Sequence, residues 1–432
     1  MKIKLQNIGI IEEADINIEG ITLIAGQNDS GKSTVGKVLY ALIRGVNGDE
    51  ISHNANKIRF VYEKTRDIRN LLSRTTATNE SDQNIQNKFI SEFLEKLEIR
   101  PSSLHSKKDT DIINSINNEL ESVLSLYDNY SNAQIKEKLS EFIVDFGRRT
   151  SISFDSTEAL YYRLESFLKN EFGNQISNSF NKSDSFIKLG GIEEKSIYFK
   201  DKIEFVGLEN TSSLYFYDEV IFIESPLRLE QTYSVRFNEI IDKNDHLNKL
   251  IFLRENELNI FSDDSKKNNN LLSLISKVIN GNFSIDTLDE IVFTKNATEF
   301  EFGNIATGIK SFGILQLLLQ KGKLNSNTLL IIDEPEVHLH PTWQVKFAEI
   351  LVLLSKELAI PILLTSHSPY FIEALEGYTK KHQYESSTNF YFAKKNEDGL
   401  SSEIIDVTND ITPILSSISE AFYKIQDIID ED

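Results

Sequence analysis

From Lys2 to Ala25 the apolar residues fall in strand-like alternation: Ile3 and Leu5, then Ile8, Ile10 and Ile11, then Ile16 and Ile18, and finally Ile21, Leu23 and Ile24. This pattern predicts an antiparallel hairpin feeding a buried strand. The period then becomes helical. Val35, Val38, Leu39 and Leu42 share one face and predict a helix over roughly Lys32 to Arg44, ended near Arg44-Gly45 by a left-handed glycine cap.

Beyond Gly48 the chain is poor in glycine and rich in Asn, Ser, Lys and Glu, and its pattern is mostly helical from about Ser52 to Lys182. Ile113, Ile116, Leu120, Val123 and Tyr127 form one seam, and Ile135, Leu139, Phe142 and Phe146 another. Asp155 with Glu158 reads as a capping box for a helix through Leu160, Leu164 and Leu168. The segments are short and interrupted, which predicts a compact helical lobe and not a long coiled coil.

The strand period returns at Ile197 and Phe199, Ile203 and Phe205, Leu214 and Phe216, and the run Val220-Ile221-Phe222-Ile223. A second helical piece covers about Ser234 to Ile279, followed by strands at Glu290 to Thr294 and Glu299 to Phe302. Leu329 to Ile332 and Ile362 to Leu364 have the length and character of buried parallel strands, separated by a helix with Trp343, Phe347, Ile350 and Leu354 on one face. Asn389 to Ala393 and Ser402 to Val407 predict a closing hairpin, and Thr412 to Ile429 a terminal amphipathic helix.

Composition narrows the class. A chain of 432 residues with 40% hydrophobic positions can bury a large core in two or three domains, or in one domain with an insertion. The absence of cysteine removes disulfides, thiolate metal sites and cysteine nucleophiles together. No stretch reads as a signal peptide or a membrane span, so a soluble cytoplasmic protein is expected. A net charge of -20 argues against a surface that holds nucleic acid by bulk electrostatics, although a local basic groove stays open.

Candidate chemistry begins at Gly26-Gln27-Asn28-Asp29-Ser30-Gly31-Lys32-Ser33-Thr34, directly behind the buried strand. This is the P-loop pattern: glycines at Gly26 and Gly31 let successive N–H groups curl inward, Lys32 reaches the β- and γ-phosphates, and Ser33 offers a hydroxyl to Mg²⁺. Asn28, Ser30 and Thr34 complete the phosphate cradle. Leu329 to Ile332 then delivers Asp333 and Glu334 at a strand end, where Asp333 would hold Mg²⁺ and Glu334 would orient the attacking water. An acidic pair behind a buried strand also fits an ordinary strand end. Thr307-Gly308-Ile309-Lys310 opens a helix ahead of that strand, and an ordinary helix start explains it equally. Ser366-His367 follows the next strand, with His367 placed where a neutral imidazole could reach the γ-phosphate.

Together, Gly26 to Thr34, Thr307 to Lys310, Asp333 to Pro341 and Ser366-His367 resemble the ABC-type ATPase heads of the SMC, RecF and OLD group. The closest likeness is to the OLD-type ATPases of bacterial anti-phage systems. The resemblance covers about two thirds of the chain and rests most specifically on Asp333-Glu334-Pro335-Glu336-Val337-His338-Leu339-His340-Pro341. It implies an α/β fold, a P-loop NTPase head of mixed β-sheet flanked by helices plus an antiparallel β subdomain. Residues 1–48 and 186–432 would form the head, and 49–185 a helical insertion.

The resemblance also implies ATP and Mg²⁺ as cofactors, with Glu334, His367 and Lys32 catalytic and Ser33 and Asp333 on the metal. Phosphate contacts would come from Gly26, Asn28, Ser30, Gly31, Lys32, Ser33 and Thr34, and from Thr307, Gly308 and Lys310 of a second chain. Two ATP molecules would lie sandwiched in a homodimer, within a higher oligomer if one forms. His338 and His340 read as part of a dimer-contacting loop in preference to a metal pair. Glu224-Ser225 stands where family members carry a glutamine, with Gln231 several residues on, so that contact is unassigned.

Too few residues follow His367 for the Toprim nuclease of OLD enzymes, and a separate effector, a nuclease or toxin, is therefore expected. The resemblance implies functional models among the ATPase subunits of defence systems such as PtuA of Septu or AriA of PARIS. The alternatives are a RecF-like DNA-maintenance ATPase and, disfavoured by the Thr307-Gly308-Ile309-Lys310 signature, a transporter ATPase.

Overall fold

A computed structural model describes residues 1–48, 152–153, 156–173, 175–178, 184–190, 195–199, 203–207, 217–224, 243–252, 263–288, 290–397 and 399–419, with a few isolated positions besides. The chain divides into two compact units, one of residues 1–47 with 164–432 and the other of residues 48–163. In the second unit, ahead of the helix that begins at Thr157, Ser156 Oγ accepts from Ala159 N at 3.1 Å. Asp155, and the seams expected over 113–127 and most of 135–146, lie outside the described residues.

In chain order the strands and helices that matter are β1 (Lys2–Ile8), β2 (Ile11–Asn17), β3 (Ile21–Gly26), α1 (Lys32–Val46), α2 (Thr157–Phe172), β4 (Ser185–Gly190), β5 (Lys195–Phe199), β6 (Ile203–Val206), β7 (Glu219–Ile223), α3 (Lys243–Phe252), α4 (Asp263–Ile279), β8 (Asn282–Ile285), β9 (Ile291–Lys295), β10 (Thr298–Glu301), α5 (Thr307–Gln320), β11 (Thr328–Asp333), α6 (Pro341–Leu358), β12 (Ile362–Ser366), α7 (Pro369–Lys381), β13 (Thr388–Lys395) and β14 (Ser402–Asp406). Residues 412–419 are helical, as the terminal pattern predicts; the strand expected at Leu214 and Phe216 lies outside the described residues.

Eleven strands form one sheet in the order β6-β5-β4-β1-β2-β14-β13-β3-β12-β11-β7. Its heart is parallel: β3 pairs with β12 and β13, and β11 with β12 and β7. These strands are buried on both faces, six residues out of six in β3 and five out of five in β12, which is why their sequences read as continuous apolar runs. β1 and β2 alternate because only one of their faces is covered. The antiparallel strands β1, β2 and β4 to β6 continue the same sheet, while β8 to β10 form a separate three-stranded sheet.

Helix α1 leaves the C-terminal end of β3 and packs so closely that a Cβ on Gly36 would come within 3.0 Å of Ile331 on β11. Gly45 is not a left-handed cap: α1 runs on to Val46 and ends at Asn47 with φ −85°. The glycine serves packing instead, since a Cβ there would lie 2.8 Å from the Leu164 side chain and 3.0 Å from its Cα. Asn47 Nδ2 donates to the Tyr217 carbonyl at 2.5 Å, tying the end of α1 to the start of β7.

Two buried charge clusters hold α3 against the edge strand β7. Lys243 Nζ lies 2.5 Å from Glu224 Oε1 and 2.8 Å from Glu171 Oε2, and 4.2 Å from the centre of the Phe222 ring. At the other end of β7, His246 Nε2 donates to Glu219 Oε1 at 2.9 Å, and Arg44 approaches the same oxygen at 3.7 Å.

Candidate active site

Strands β3, β11 and β12 end at one edge of the sheet, and their C-terminal turns bring the P-loop, the acidic pair and His367 together. The P-loop curls because its backbone enters left-handed space at Asp29 (φ 58°) and Gly31 (φ 81°). At Gly31 a Cβ would meet Ile11 Cγ1 at 2.7 Å, and at Gly26 it would lie 2.5 Å from the Ala393 carbonyl oxygen. Both glycines are therefore required by space. No side chain caps the N-terminus of α1, which leaves its first amides facing the loop.

Lys32 folds its ammonium back onto the loop, donating to the carbonyls of Gly26 at 3.0 Å and Gln27 at 2.8 Å. Burial lowers its pKa, and the carboxylates of Glu334, Asp333 and Glu336 pull the other way. A cation is thus held, nearly out of water, inside a ring of backbone dipoles shaped for an anion. Ser30 braces that ring: its Oγ donates to the Gln27 carbonyl at 2.8 Å, and its own carbonyl accepts from Ser402 Oγ at 2.8 Å. Asn28 is exposed at the lip, and Thr34 N closes the turn onto the Gly31 carbonyl at 3.0 Å.

Ser33 and Asp333 meet here. Ser33 Oγ donates to Asp333 Oδ1 at 2.8 Å, and Thr365 Oγ1 donates to the same oxygen. A hydroxyl beside a carboxylate is the donor set that Mg²⁺ takes from a protein whose remaining ligands are water and phosphate oxygens. Among the described residues no group of three His, Asp or Glu side chains that could hold a metal ion is found.

Glu334 leaves β11 with φ 48°, a left-handed conformation unusual for a glutamate. Its amide donates to both the carbonyl (3.2 Å) and Oγ1 (3.1 Å) of Thr365, which hold the strained turn. The side chain then lies with Oε1 3.3 Å from His367 Nδ1. This contact raises the pKa of His367 and lowers that of Glu334, against the opposing effect of partial burial on each. Glu336 adds to the pull of Glu334 in raising the His367 pKa. The lowered pKa of Glu334 favours its carboxylate form, the form that can accept a proton from water.

The signature turn stands apart from this cluster. Thr307 starts α5 half-buried, behind Ala306, which offers no side-chain cap. Gly308 is buried against the loop that follows Glu334, where a Cβ would come 3.0 Å from the His338 carbonyl oxygen and 3.3 Å from Leu339 Cδ2. Lys310 differs from expectation. Its side chain is buried, with the ammonium 4.8 Å from the centre of the Phe302 ring, and burial lowers its pKa. In this chain the Lys310 side chain packs inward at the start of its own helix.

His340 caps α6, its Nδ1 accepting from Thr342 N at 3.3 Å, and His338 takes φ 68° in the turn before it. Glu224, at the place expected for the family glutamine, is bound to Lys243; Gln231 lies outside the described residues. Sequence reasoning gave no role to Thr365 or Glu336. Thr365 is one residue ahead of the Ser366-His367 pair and carries no motif of its own. Glu336 sits within the quoted acidic stretch, where a third carboxylate so close to two others is a signal that a buried acceptor is needed.

A family model described as "AAA domain, putative AbiEii toxin, Type IV TA system" matches residues 21–373. A Septu protein PtuA from Bacillus thuringiensis is 31% identical over 103 residues, 21% of this chain and 25% of that protein, so the chain spans about a quarter of this curated relative. Among solved structures, the SMC head domain from Thermotoga maritima is similar over 94% of this chain and 98% of that one, at 11% identity and a TM-score of 0.39. A dimeric bacterial ABC transporter cassette, MJ0796, is similar over 90% and 93% at 10% identity and a TM-score of 0.30.

Proposed function

The chain belongs to the AAA-domain family whose model it matches, and on that premise we propose that it binds ATP with Mg²⁺ and hydrolyses it between two copies of the chain. The observation that carries this reading is the 2.8 Å contact of Ser33 with Asp333, beside the Glu334–His367 pair. Ser33, the adjacent pair Asp333-Glu334 and His367 come from three separate stretches of the chain and meet at one sheet edge, an arrangement that suits the holding of a triphosphate and its metal.

In this reading the amides of the P-loop and Lys32 bind the β- and γ-phosphates, with Lys32 exchanging its bonds to Gly26 and Gln27 for phosphate oxygens. Ser33 and Asp333 would hold the metal, which when bound would supply positive charge against the phosphates. Glu334 accepts the proton of the attacking water while His367 keeps that carboxylate ionised and oriented. Thr307 and the first amides of α5 from the second chain complete the γ-phosphate site. The two chains would then form and separate with the nucleotide cycle.

The partial match to a Septu protein supports a role in anti-phage defence, in which this ATPase senses a trigger and controls a separate effector, a nuclease or toxin. Cytoplasmic location accords with that role. Among the described residues no helix is long and apolar enough to cross a membrane.

The test compares three purified proteins. Wild type hydrolyses ATP with Mg²⁺; Lys32→Ala loses nucleotide binding; Glu334→Gln binds as wild type does but does not turn over. Equal loss of affinity in both variants contradicts these roles.

A further inference from the structure

Glu336 is almost wholly buried, yet it is neither a metal ligand nor the residue assigned to activate water. One of its oxygens, Oε1, accepts from Ser366 Oγ at 2.7 Å, from the His367 amide at 2.8 Å and from the Ser368 amide at 3.2 Å. The same oxygen lies 3.5 Å from His367 Nδ1. Three donors from three successive residues therefore converge on a single carboxylate oxygen. The other oxygen, Oε2, is buried without a hydrogen-bond partner.

Such an arrangement is costly unless position matters, because a buried carboxylate half left without partners loses much of its solvation. A simple structural cap for this turn could be made with one hydroxyl. Ser368 shows as much: its Oγ donates to Gln344 Oε1 at 2.6 Å, and Gln344 Nε2 donates to the Leu339 carbonyl at 3.0 Å, which already joins the turn after β12 to α6. What Glu336 adds is the placement of His367. It accepts from the residue's amide and lies 3.5 Å from its Nδ1, while Glu334 lies 3.3 Å from the same nitrogen.

Glu334 and Glu336 also sit on one tight turn, closed by Val337 N onto the Glu334 carbonyl at 3.0 Å. Glu334 and Glu336 thus share the turn that follows β11, while the histidine both approach follows the neighbouring strand β12.

We propose that Glu336 is the positioning residue of the hydrolytic site, a buried hub that fixes the turn 366–368 so that the ring of His367 stands against Glu334. The inference rests on the ATPase reading above for its catalytic consequence, and on geometry alone for its structural part. Removing the hub should misplace His367 without touching the phosphate cradle.

The experiment uses the full chain and the variants Glu336→Ala, Glu336→Gln, His367→Ala and the Glu336→Ala/His367→Ala double variant. Glu336→Ala is expected to lower kcat by about 10- to 100-fold, the scale of a misaligned reacting group, with ATP affinity and KM little changed. Glu336→Gln, which keeps one acceptor oxygen, should recover part of that loss. The double variant should be no slower than His367→Ala, since Glu336 acts through that ring. Additive losses would overturn the proposal.

A second readout does not depend on turnover. With seven histidines in the chain, the ring resonance of His367 can be assigned by its loss in His367→Gln. It should move in Glu336→Ala and return toward its wild-type position in Glu336→Gln; an unmoved resonance would overturn the proposal even in a folded, active variant. If wild type binds ATP but never hydrolyses it, the ATPase reading fails, and the resonance alone still decides whether Glu336 places His367. Should Glu336→Ala not fold, Glu336→Gln carries both comparisons against His367→Ala.

Discussion

Ser33 Oγ donates to Asp333 Oδ1 at 2.8 Å, although the two residues are 300 positions apart in the chain. The contact exists because β3 and β11 flank β12 in the same parallel block and end at the same edge. Each residue keeps the other's oxygen where a divalent cation would need it. Asp333→Asn preserves an acceptor for Ser33 and Thr365 but removes the charge. It should fold as wild type and lose Mg²⁺-dependent hydrolysis by about 100-fold or more, the scale of losing one transition-state electrostatic contact. Thermal melting and a Mg²⁺ titration of turnover check both halves; retained turnover would remove Asp333 from the metal.

The cluster at the far end of β7 predicts a pH dependence of stability. His246 is buried, and burial together with the nearby Arg44 lowers its pKa below the ordinary 6.5, outweighing its bond to Glu219. Tyr40 packs beside the ring, Lys249 adds a further positive charge, and Nδ1 has no hydrogen-bond partner. Below pH 6.5 the unfolded chain therefore binds a proton that the native chain refuses, so this contribution is present above 6.5 and is lost as pH falls toward the native value. His246→Gln, which still donates to Glu219, should melt with a shallower fall between pH 6.5 and 5 than wild type. Parallel curves for the two proteins would contradict it.

Lys243 supplies a second stability prediction. Its ammonium stands between Glu224 and Glu171, and burial already raises the Glu171 pKa against the pull of Lys243. Lys243→Met leaves a buried carboxylate without its cation and should cost about 3–5 kcal/mol at neutral pH. Because the carboxyl of Glu171 can take up a proton once Lys243 is gone, the loss should shrink as pH falls to 5. Urea unfolding at the two pH values measures it, and an equal loss at both would place the effect in packing over Phe222 instead.

Much of this site was legible because its elements announce themselves locally. Gly26, Gly31, Lys32 and Ser33 are close in sequence, and Asp333-Glu334 follows an apolar run that only a doubly covered strand would carry. The order of strands was not legible: nothing near β13 or β14 says that the hairpin inserts between β2 and β3, since that choice is made by long-range pairing. Long-range packing also decided the places of Gly45 and Lys310. Gly45 stands in a helix because Leu164 needs the space, and Lys310 turns inward because Phe302 offers it a ring. Neither partner is visible from the motif in which the residue lies.

The shared site is the central claim, and mixing two inactive chains tests it most directly. Gly308 is a poor place for the second lesion, because a Cβ there would press on its own chain at His338. Thr307→Asp is better suited: a carboxylate in the first turn of α5 favours the helix within its chain and repels a phosphate brought by another. Lys32→Ala and Thr307→Asp should each be inactive alone. Mixed, they should regain part of wild-type ATP turnover, from dimers in which the intact P-loop of the Thr307→Asp chain meets the intact α5 of the Lys32→Ala chain. If the mixture stays as inactive as its components, the site is not shared between chains and the account is wrong.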